Sequence, residues 1–294
     1  MSWPLVSVLV PCFNHEHYIE ECLKSILSQD YDNFEVIVVN DGSTDSSAER
    51  IEALRQLHGF QFYQQENQGV SAALNNALSH ARGEFVITHD SDDVMLAGRL
   101  RRQVAYMQEH PEVGLLGAKV IYIDSAGKPL KHKKTTGGPV RRLSFDQLLA
   151  DAYAVGAPVA MYRREAIDKV GGYDPSIKVQ DFQMTLRIAE AGYQVDILPD
   201  NVTLYRRHET NISKTAYKSQ LTYDLKVIEA YIDNPAYESG RLAIINKALK
   251  ESVVIDKPFA RSLFASIPVH RWNRVTWKRF RHFVFKHGKP KGAQ

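Results

Sequence analysis

Runs of β-branched and apolar residues alternate with helically spaced segments through the first ninety or so positions. Leu5 to Val10 is apolar apart from Ser7 and reads as a buried central strand, stopped by Pro11-Cys12-Phe13-Asn14. Ile19, Leu23, Ile26 and Leu27 then recur at helical spacing. Phe34 to Val39 predicts a second strand, and Asn40-Asp41-Gly42-Ser43-Thr44-Asp45 a turn that can cap the next helix, whose inner face is Ile51, Leu54 and Leu57. Phe60 to Tyr63 is a third, shorter strand, followed by Glu66-Asn67-Gln68-Gly69 and a helix with Ala73, Leu74, Ala77 and Leu78 inward. Phe85 to Thr88 is the fourth strand. Strands alternating with helices in this way predict an α/β fold with a mostly parallel central sheet flanked by helices.

The fourth strand runs into His89-Asp90-Ser91-Asp92-Asp93, three carboxylates within four residues. Open α/β sheets bind ligands at the carboxyl ends of their strands. Acids this close repel one another unless a cation or hydrogen-bond donors compensate them. Asp90 and Asp92 suit a hard divalent ion such as Mg²⁺ or Mn²⁺. The plainer reading is a solvated acidic loop that caps a helix starting near Leu96. There is no G-x-G-x-x-G after the first strand and no G-x-x-x-x-G-K-[ST] anywhere, so dehydrogenase and P-loop chemistry lose their main support.

Downstream, the pattern predicts a helix over Leu100 to His110 and a hairpin from Gly114 that turns at Asp124-Ser125-Ala126-Gly127. A basic mobile loop is expected over Lys131 to Gly138, a short helix over Phe145 to Ala152 and a strand over Ala157 to Tyr162. A helix over Asp181 to Ala191 leads to two last strands, Tyr193 to Leu198 and Val202 to Arg206. After residue 215 two amphipathic helices and a basic aromatic tail form a helical C-terminal extension. The expected division is 1–215, with halves of about 1–95 and 96–215, and 216–294.

Charge sharpens this division. The net charge of +3 splits into −7 for residues 1–256 and +10 for the tail, which has no acid. Residues 271–291 mix Trp and Phe with Lys and Arg, as expected of contact with an anionic membrane surface. A nucleic-acid partner fits the charge, but no nucleic-acid module is legible; the third reading is a helix covering the domain. Two cysteines make no disulfide framework, and buried free thiols are expected. The start, Met1-Ser2-Trp3-Pro4, is read as leading into a strand and not as a signal peptide, and no apolar run reaches the length of a membrane span. The expected location is cytoplasmic, with the inner face of the cytoplasmic membrane as the surface the tail would contact.

Five stretches together resemble the family 2 glycosyltransferases of the GT-A fold. They are Val6 to Asn14, Val38 to Asp45, Glu66 to Gly69, Ala81 to Phe85 running into Asp90-Ser91-Asp92-Asp93, and Gly171-Gly172-Tyr173-Asp174 followed by Asp181. They stand in the family's order and spacing over roughly residues 5–213. The resemblance implies a nucleotide-sugar donor, a divalent metal (Mn²⁺ or Mg²⁺) and an inverting transfer. It implies that Asp41 accepts a hydrogen bond from the base, uracil or thymine, with Pro11 and Asn14 in the same pocket and Asn67, Gly69 and Asn75 completing it. Asp90 and Ser91 lie toward the ribose. The metal ligands it implies are Asp92 first, then Asp90, and His208 from the late segment Arg206 to Ser213. Asp93 is expected to cap the next helix. The family's acidic pair is here Gln180-Asp181, a departure at its first position, and Asp181 is the implied general base. His15 and His17 lack zinc spacing and receive no role.

Arg271-Trp272 is similar to the Gln-x-x-Arg-Trp motif of processive synthases, but Pro268 stands where Gln is needed, so single-sugar transfer is expected. Acceptors in the family are often lipid-linked, pointing to lipopolysaccharide or another cell-surface glycan. Two alternatives stand beside this reading. A sugar nucleotidyltransferase needs a Gly-rich, basic loop after the first strand, which Pro11-Cys12-Phe13-Asn14 is not. A catalytically inactive nucleotide- or glycan-binding protein is favoured only by Gln180.

Overall fold

The computed structural model describes residues 3–130, 137–208 and 217–285. The chain divides into two compact units, Met1–Phe145 with Ala154–Glu209, and Asp146–Tyr153 with Thr210–Gln294.

The first unit is built on one mixed sheet. β1 (Val6–Cys12), α1 (Ile19–Leu27), β2 (Phe34–Asp41), α2 (Ser47–His58), β3 (Gln61–Gln65), α3 (Val70–His80) and β4 (Phe85–Thr88) follow the alternation read from the sequence. β3, β2, β1 and β4 lie side by side and parallel, with Val8 opposite both Val36 and Ile87. β1 and β4 are buried on both faces, which is why they read as continuous apolar runs.

Beyond β4 the sheet is mixed. β8 (Met161–Arg163) pairs antiparallel with both β4 and β6 (Val113–Asp124), β9 (Gln194–Arg207) runs parallel to β6, and β5 (Val94–Met95) and β7 (Arg141–Leu143) pair antiparallel with β9. The mostly parallel sheet is therefore the half that ends at β4.

Several boundaries differ from expectation for local reasons. The two last strands are one, because β9 continues through Pro199 while its pairing with β6 shifts register. The strand expected from Ala157 begins only at Met161, after a 3₁₀ turn over Ala157–Val159 with Pro158 inside it. Helix α4 (Arg99–Glu109) follows an αL glycine, Gly98, instead of starting near Leu96. Leu57 is 77% exposed, at the end of α2 and off the face of Ile51 and Leu54. The return after Asp124 is a tight turn with one bridge, Ile123 to Pro129; the basic loop expected beyond it falls mostly outside the described residues. Helices α5 (Phe145–Ala150), α6 (Arg164–Lys169) and α7 (Gln180–Glu190) complete the elements up to β9.

The second unit is helical: Tyr217–Ile228, Tyr237–Ile255, Lys257–Ala265 and Arg274–Phe285. The third of these was not anticipated, and Asp256 caps it by accepting from the Phe259 N–H. Residues 146–153 belong here because Gly240 lies against the Leu149 carbonyl with no room for a Cβ, Asn234 bonds Asp146 at 3.0 Å and the Lys247 ammonium bonds the Ala152 carbonyl. Trp272, Phe280 and Phe283 pack on Phe264, each ring centroid 5.4–5.5 Å from it. Three of the tail's five Trp and Phe residues are thus half-buried on Phe264, while Trp277, Val284 and Phe285 stay exposed beside Arg274, Lys278 and Arg281. No helix among the described residues is long and apolar enough to cross a membrane.

Candidate active site

Parallel pairing brings the loops after β1, β2, β3 and β4 to one sheet edge, and side chains lace them together. Asn14, at φ 53°, accepts from the Thr44 N–H at 2.8 Å and donates its own N–H to Ser43. The N–H groups of His15 and Glu16 donate to Ser47 and Asp45. Pro11 lies inside β1, opposite Val39 of β2.

Asp41, at the end of β2, is buried and anchors the next loop. Its Oδ1 accepts from Gln65 Nε2 at 2.8 Å and the Gln68 N–H at 2.9 Å, and its Oδ2 from the Gly69 N–H at 2.8 Å. Asn67 donates to the Asp41 carbonyl, and the close approach of Gly42, at φ 71°, to the Asn67 backbone leaves no space for a Cβ. Asn75 is engaged with a later turn. Its Nδ2 donates to the Tyr173 carbonyl at 2.8 Å and its Oδ1 accepts from the Tyr173 N–H at 2.9 Å, a two-point clamp on the Gly171-Gly172-Tyr173 turn.

The acidic turn is largely withdrawn from water: Ser91, Asp92 and Asp93 are buried and Asp90 is partly so. One carboxylate oxygen from each of Asp90, Asp92 and Asp93 lies within 4.8 Å of the others. Burial, then repulsion from neighbouring carboxylates, pushes Asp90 and Asp93 well above the usual carboxylate range. Two buried arginines face the cluster. Arg99 bonds His89, Gln103 and the carbonyls of Pro158 and Ala160. Arg206 donates its N–H to Asp93 Oδ1 at 2.7 Å and its Nε–H to the Asp92 carbonyl at 2.8 Å. Asp93 therefore ties the turn to β9 instead of capping a helix, and its Oδ2 is buried with no hydrogen-bond partner. Three crowded oxygen donors, one of them orphaned, fit a hard divalent cation.

His208 is buried and its Nε2 lies 2.8 Å from Asp92 Oδ2. The residues that follow it in its motif, 209–213, lie outside the described residues. His15 completes the corner: its Nδ1 is 2.7 Å from Ser91 Oγ, and its ring meets the His208 ring edge-on at 5.8 Å. Sequence spacing had given it nothing, because Ser91 and His208 are 76 and 193 residues away.

Asp181 stands in the first turn of α7, and its Oδ2 accepts from the Ala157 N–H at 3.0 Å. The carbonyl of that same residue accepts from Thr88 Oγ1 at 3.3 Å. Ala157 alone thus links Asp181 to the end of the strand that carries Asp90 and Asp92. Burial lifts the Asp181 carboxyl to about 6. Phe13, 46% exposed between Cys12 and Asn14, is an aromatic face at the same sheet edge that the sequence reading passed over.

The sheet thus carries an acidic turn at its parallel edge, with the half-buried Asp181 carboxylate linked to it through Ala157. The family model "Glycosyl transferase family 2" matches residues 7–171, more than half of the chain, and the chain belongs to that family. It is similar to the amylovoran biosynthesis glycosyltransferase AmsE of Erwinia amylovora, at 28% identity over 215 residues, 71% of this chain and 79% of AmsE. Among solved structures it resembles S. aureus TarS 1–349 in complex with UDP-GlcNAc, with a TM-score of 0.67 at 22% identity, covering 96% of this chain and 82% of that one. It also resembles the mannosyltransferase PcManGT of Pyrobaculum calidifontis in complex with GDP-Man and Mn²⁺, with a TM-score of 0.62 at 22% identity, covering 90% and 73%. The chain is a glycosyltransferase with the GT-A fold.

Proposed function

We propose that the protein transfers one sugar, with inversion, from a UDP- or dTDP-linked donor to a glycan or lipid-linked acceptor in the assembly of a cell-surface polysaccharide or lipopolysaccharide. The observation that carries this reading is the placement of Asp181 one residue's width from the end of β4. The base and the donor-holding turn therefore share one space.

The Asp41 carboxylate has room for one more donor, since Oδ2 takes a single hydrogen bond. An imide N–H, which uracil and thymine both present, suits that position, and Phe13 offers a ring for stacking. Pro11, Asn14, Asn67 and Gly69 set the shape of this pocket; Asn75 is left out because its side chain is spent on Tyr173. Asp90 and Ser91 face the ribose. Asp92, with Asp90 and His208, would hold a divalent ion, which when bound offsets the negative charge gathering on the departing nucleoside diphosphate.

Asp181 takes the proton from the acceptor hydroxyl as its oxygen bonds to the anomeric carbon. The bond from that carbon to the diphosphate oxygen breaks in the same displacement, and the electron pair leaves with the nucleotide. One displacement inverts the anomeric centre. A carboxyl lifted to about 6 is a stronger base than an ordinary aspartate and is still mostly ionised at neutral pH. The exposed basic and aromatic face of Arg274–Phe285 favours contact with an anionic membrane from the cytoplasmic side, where a lipid-linked acceptor would be met.

Thermal melting against UDP, GDP, CDP and dTDP, each with and without Mn²⁺, tests the donor. A rise with UDP or dTDP that grows with Mn²⁺ is expected. No shift with any nucleotide, in a sample that melts cooperatively, would count against a nucleotide-sugar donor.

A further inference from the structure

Asp92 belongs to two donor clusters at once. One is the all-oxygen set with Asp90 and Asp93; the other joins it to His15 and His208, with the three ligand atoms within 4.8 Å of one another. We propose that His15 is a further metal ligand, and that the set His15, Asp92 and His208 makes this enzyme select a transition-metal ion, Mn²⁺, Co²⁺ or Zn²⁺, over Mg²⁺. The inference rests on the metal site being where the donor reading puts it.

The chemistry of the donors supports the choice. Mg²⁺ takes oxygen ligands and keeps its waters, whereas imidazole nitrogen suits the later first-row ions. Two histidines and one carboxylate are a set that binds such ions. In the structure these groups are already gathered: His208 Nε2 is 2.8 Å from Asp92 Oδ2, a contact an ion between them would replace.

His15 is held for the task by its surroundings. Ser91 Oγ stands 2.7 Å from its Nδ1, so when that nitrogen donates its proton to the hydroxyl, Nε2 carries the lone pair. The backbone N–H of His15 is tied to Ser47, which fixes the root of the side chain. The ring is part-buried beside Tyr18 and His208, with ring centroids 6.2 and 5.8 Å away. Asp92 is common to this set and to the set with Asp90 and Asp93, so an ion held by Asp92 has both kinds of donor near it.

The test is direct metal binding by the full-length protein, with metal alone and again with saturating UDP. Mn²⁺ binding is followed by its electron paramagnetic resonance signal, Mg²⁺ by competition against it, and Co²⁺ by its visible absorption. Wild type is expected to prefer Mn²⁺ strongly over Mg²⁺. Ser91→Ala, which frees the ring, should weaken Mn²⁺ by about 10- to 100-fold, and His15→Ala by at least as much, with Mg²⁺ nearly unchanged. His15→Ala should also shift the Co²⁺ bands, a readout that a purely structural histidine would not move. Asp92→Ala should lose both ions. An unchanged Mn²⁺/Mg²⁺ ratio in His15→Ala overturns the proposal while leaving the carboxylate site and the transferase reading intact. A wild type that binds neither ion in either condition overturns the proposal and the carboxylate metal site together, whereas UDP binding measured without metal reports separately on the donor site.

Discussion

Replacing Asp181 with Asn is expected to abolish transfer and, at neutral pH, to make the fold more stable. The Asp181 carboxyl is lifted from 3.8 to about 6, with burial as the leading cause. Because the folded-state value is the higher one, the folded protein holds that proton more tightly than the unfolded chain does. The associated stability is complete below 3.8 and is lost as pH rises through about 6. Each unit of displacement corresponds to about 1.4 kcal/mol, so the ionised carboxylate weakens the neutral-pH fold by roughly 3 kcal/mol at most. Asparagine cannot ionise, and its Oδ1 can still accept from the Ala157 N–H, now 3.0 Å from the carboxylate. The variant should therefore melt higher than wild type near pH 7.5, by about 2–4 °C for each kcal/mol recovered, and close to wild type near pH 4. Melting at both pH values, beside kcat/KM measured from about pH 5 to 8, checks both halves. Wild-type kcat/KM should fall about tenfold per unit below pH 6, as expected when a single base must be unprotonated. A variant that melts below wild type at pH 7.5, or a flat wild-type profile between pH 5 and 7, would refute the reasoning.

Asn75→Ala should cost about 1–3 kcal/mol of stability by leaving the Tyr173 backbone unsatisfied, while UDP affinity measured by calorimetry stays near wild type. Gly42→Ala forces a Cβ against the Asn67 backbone at a positive φ, so it should lower stability by roughly 1–3 kcal/mol and weaken nucleotide binding by displacing the loop that Asp41 anchors. Vesicle co-sedimentation should show retention on phosphatidylserine that declines with salt, and Trp277→Ala combined with Phe285→Ala should reduce it; equal binding to neutral vesicles would remove the electrostatic reading.

The parallel half of the sheet and the polar turns at its edge were legible in the chain because both are local. β1, β2 and β4 are buried on two faces over most of their length, so their residues are mainly apolar, and each ends in a short polar turn carrying its own motif. Asp41, Asp90 and Asp92 stand out for that reason, whereas Asp181 was read from its motif at the start of α7. What escaped was decided by pairing at a distance. Nothing in Pro11-Cys12-Phe13-Asn14-His15 tells that His15 will meet Ser91, and only the parallel registers of β1 with β2 and β4 bring them together. The role of Asn75 depends on a turn 98 residues later, and the buried Arg99 reads in the sequence as one more base on an amphipathic helix. Residues 146–153 show nothing locally that assigns them to the C-terminal helices; the missing side chain of Gly240 does. Periodicity and turn residues determined the elements, since a strand's burial is written into its own side chains, while the candidate reacting groups were named through the family's motifs. Which groups share a corner, and which are spent on holding it, was settled by tertiary packing, because hydrogen bonds join residues that are close in space irrespective of their separation along the chain.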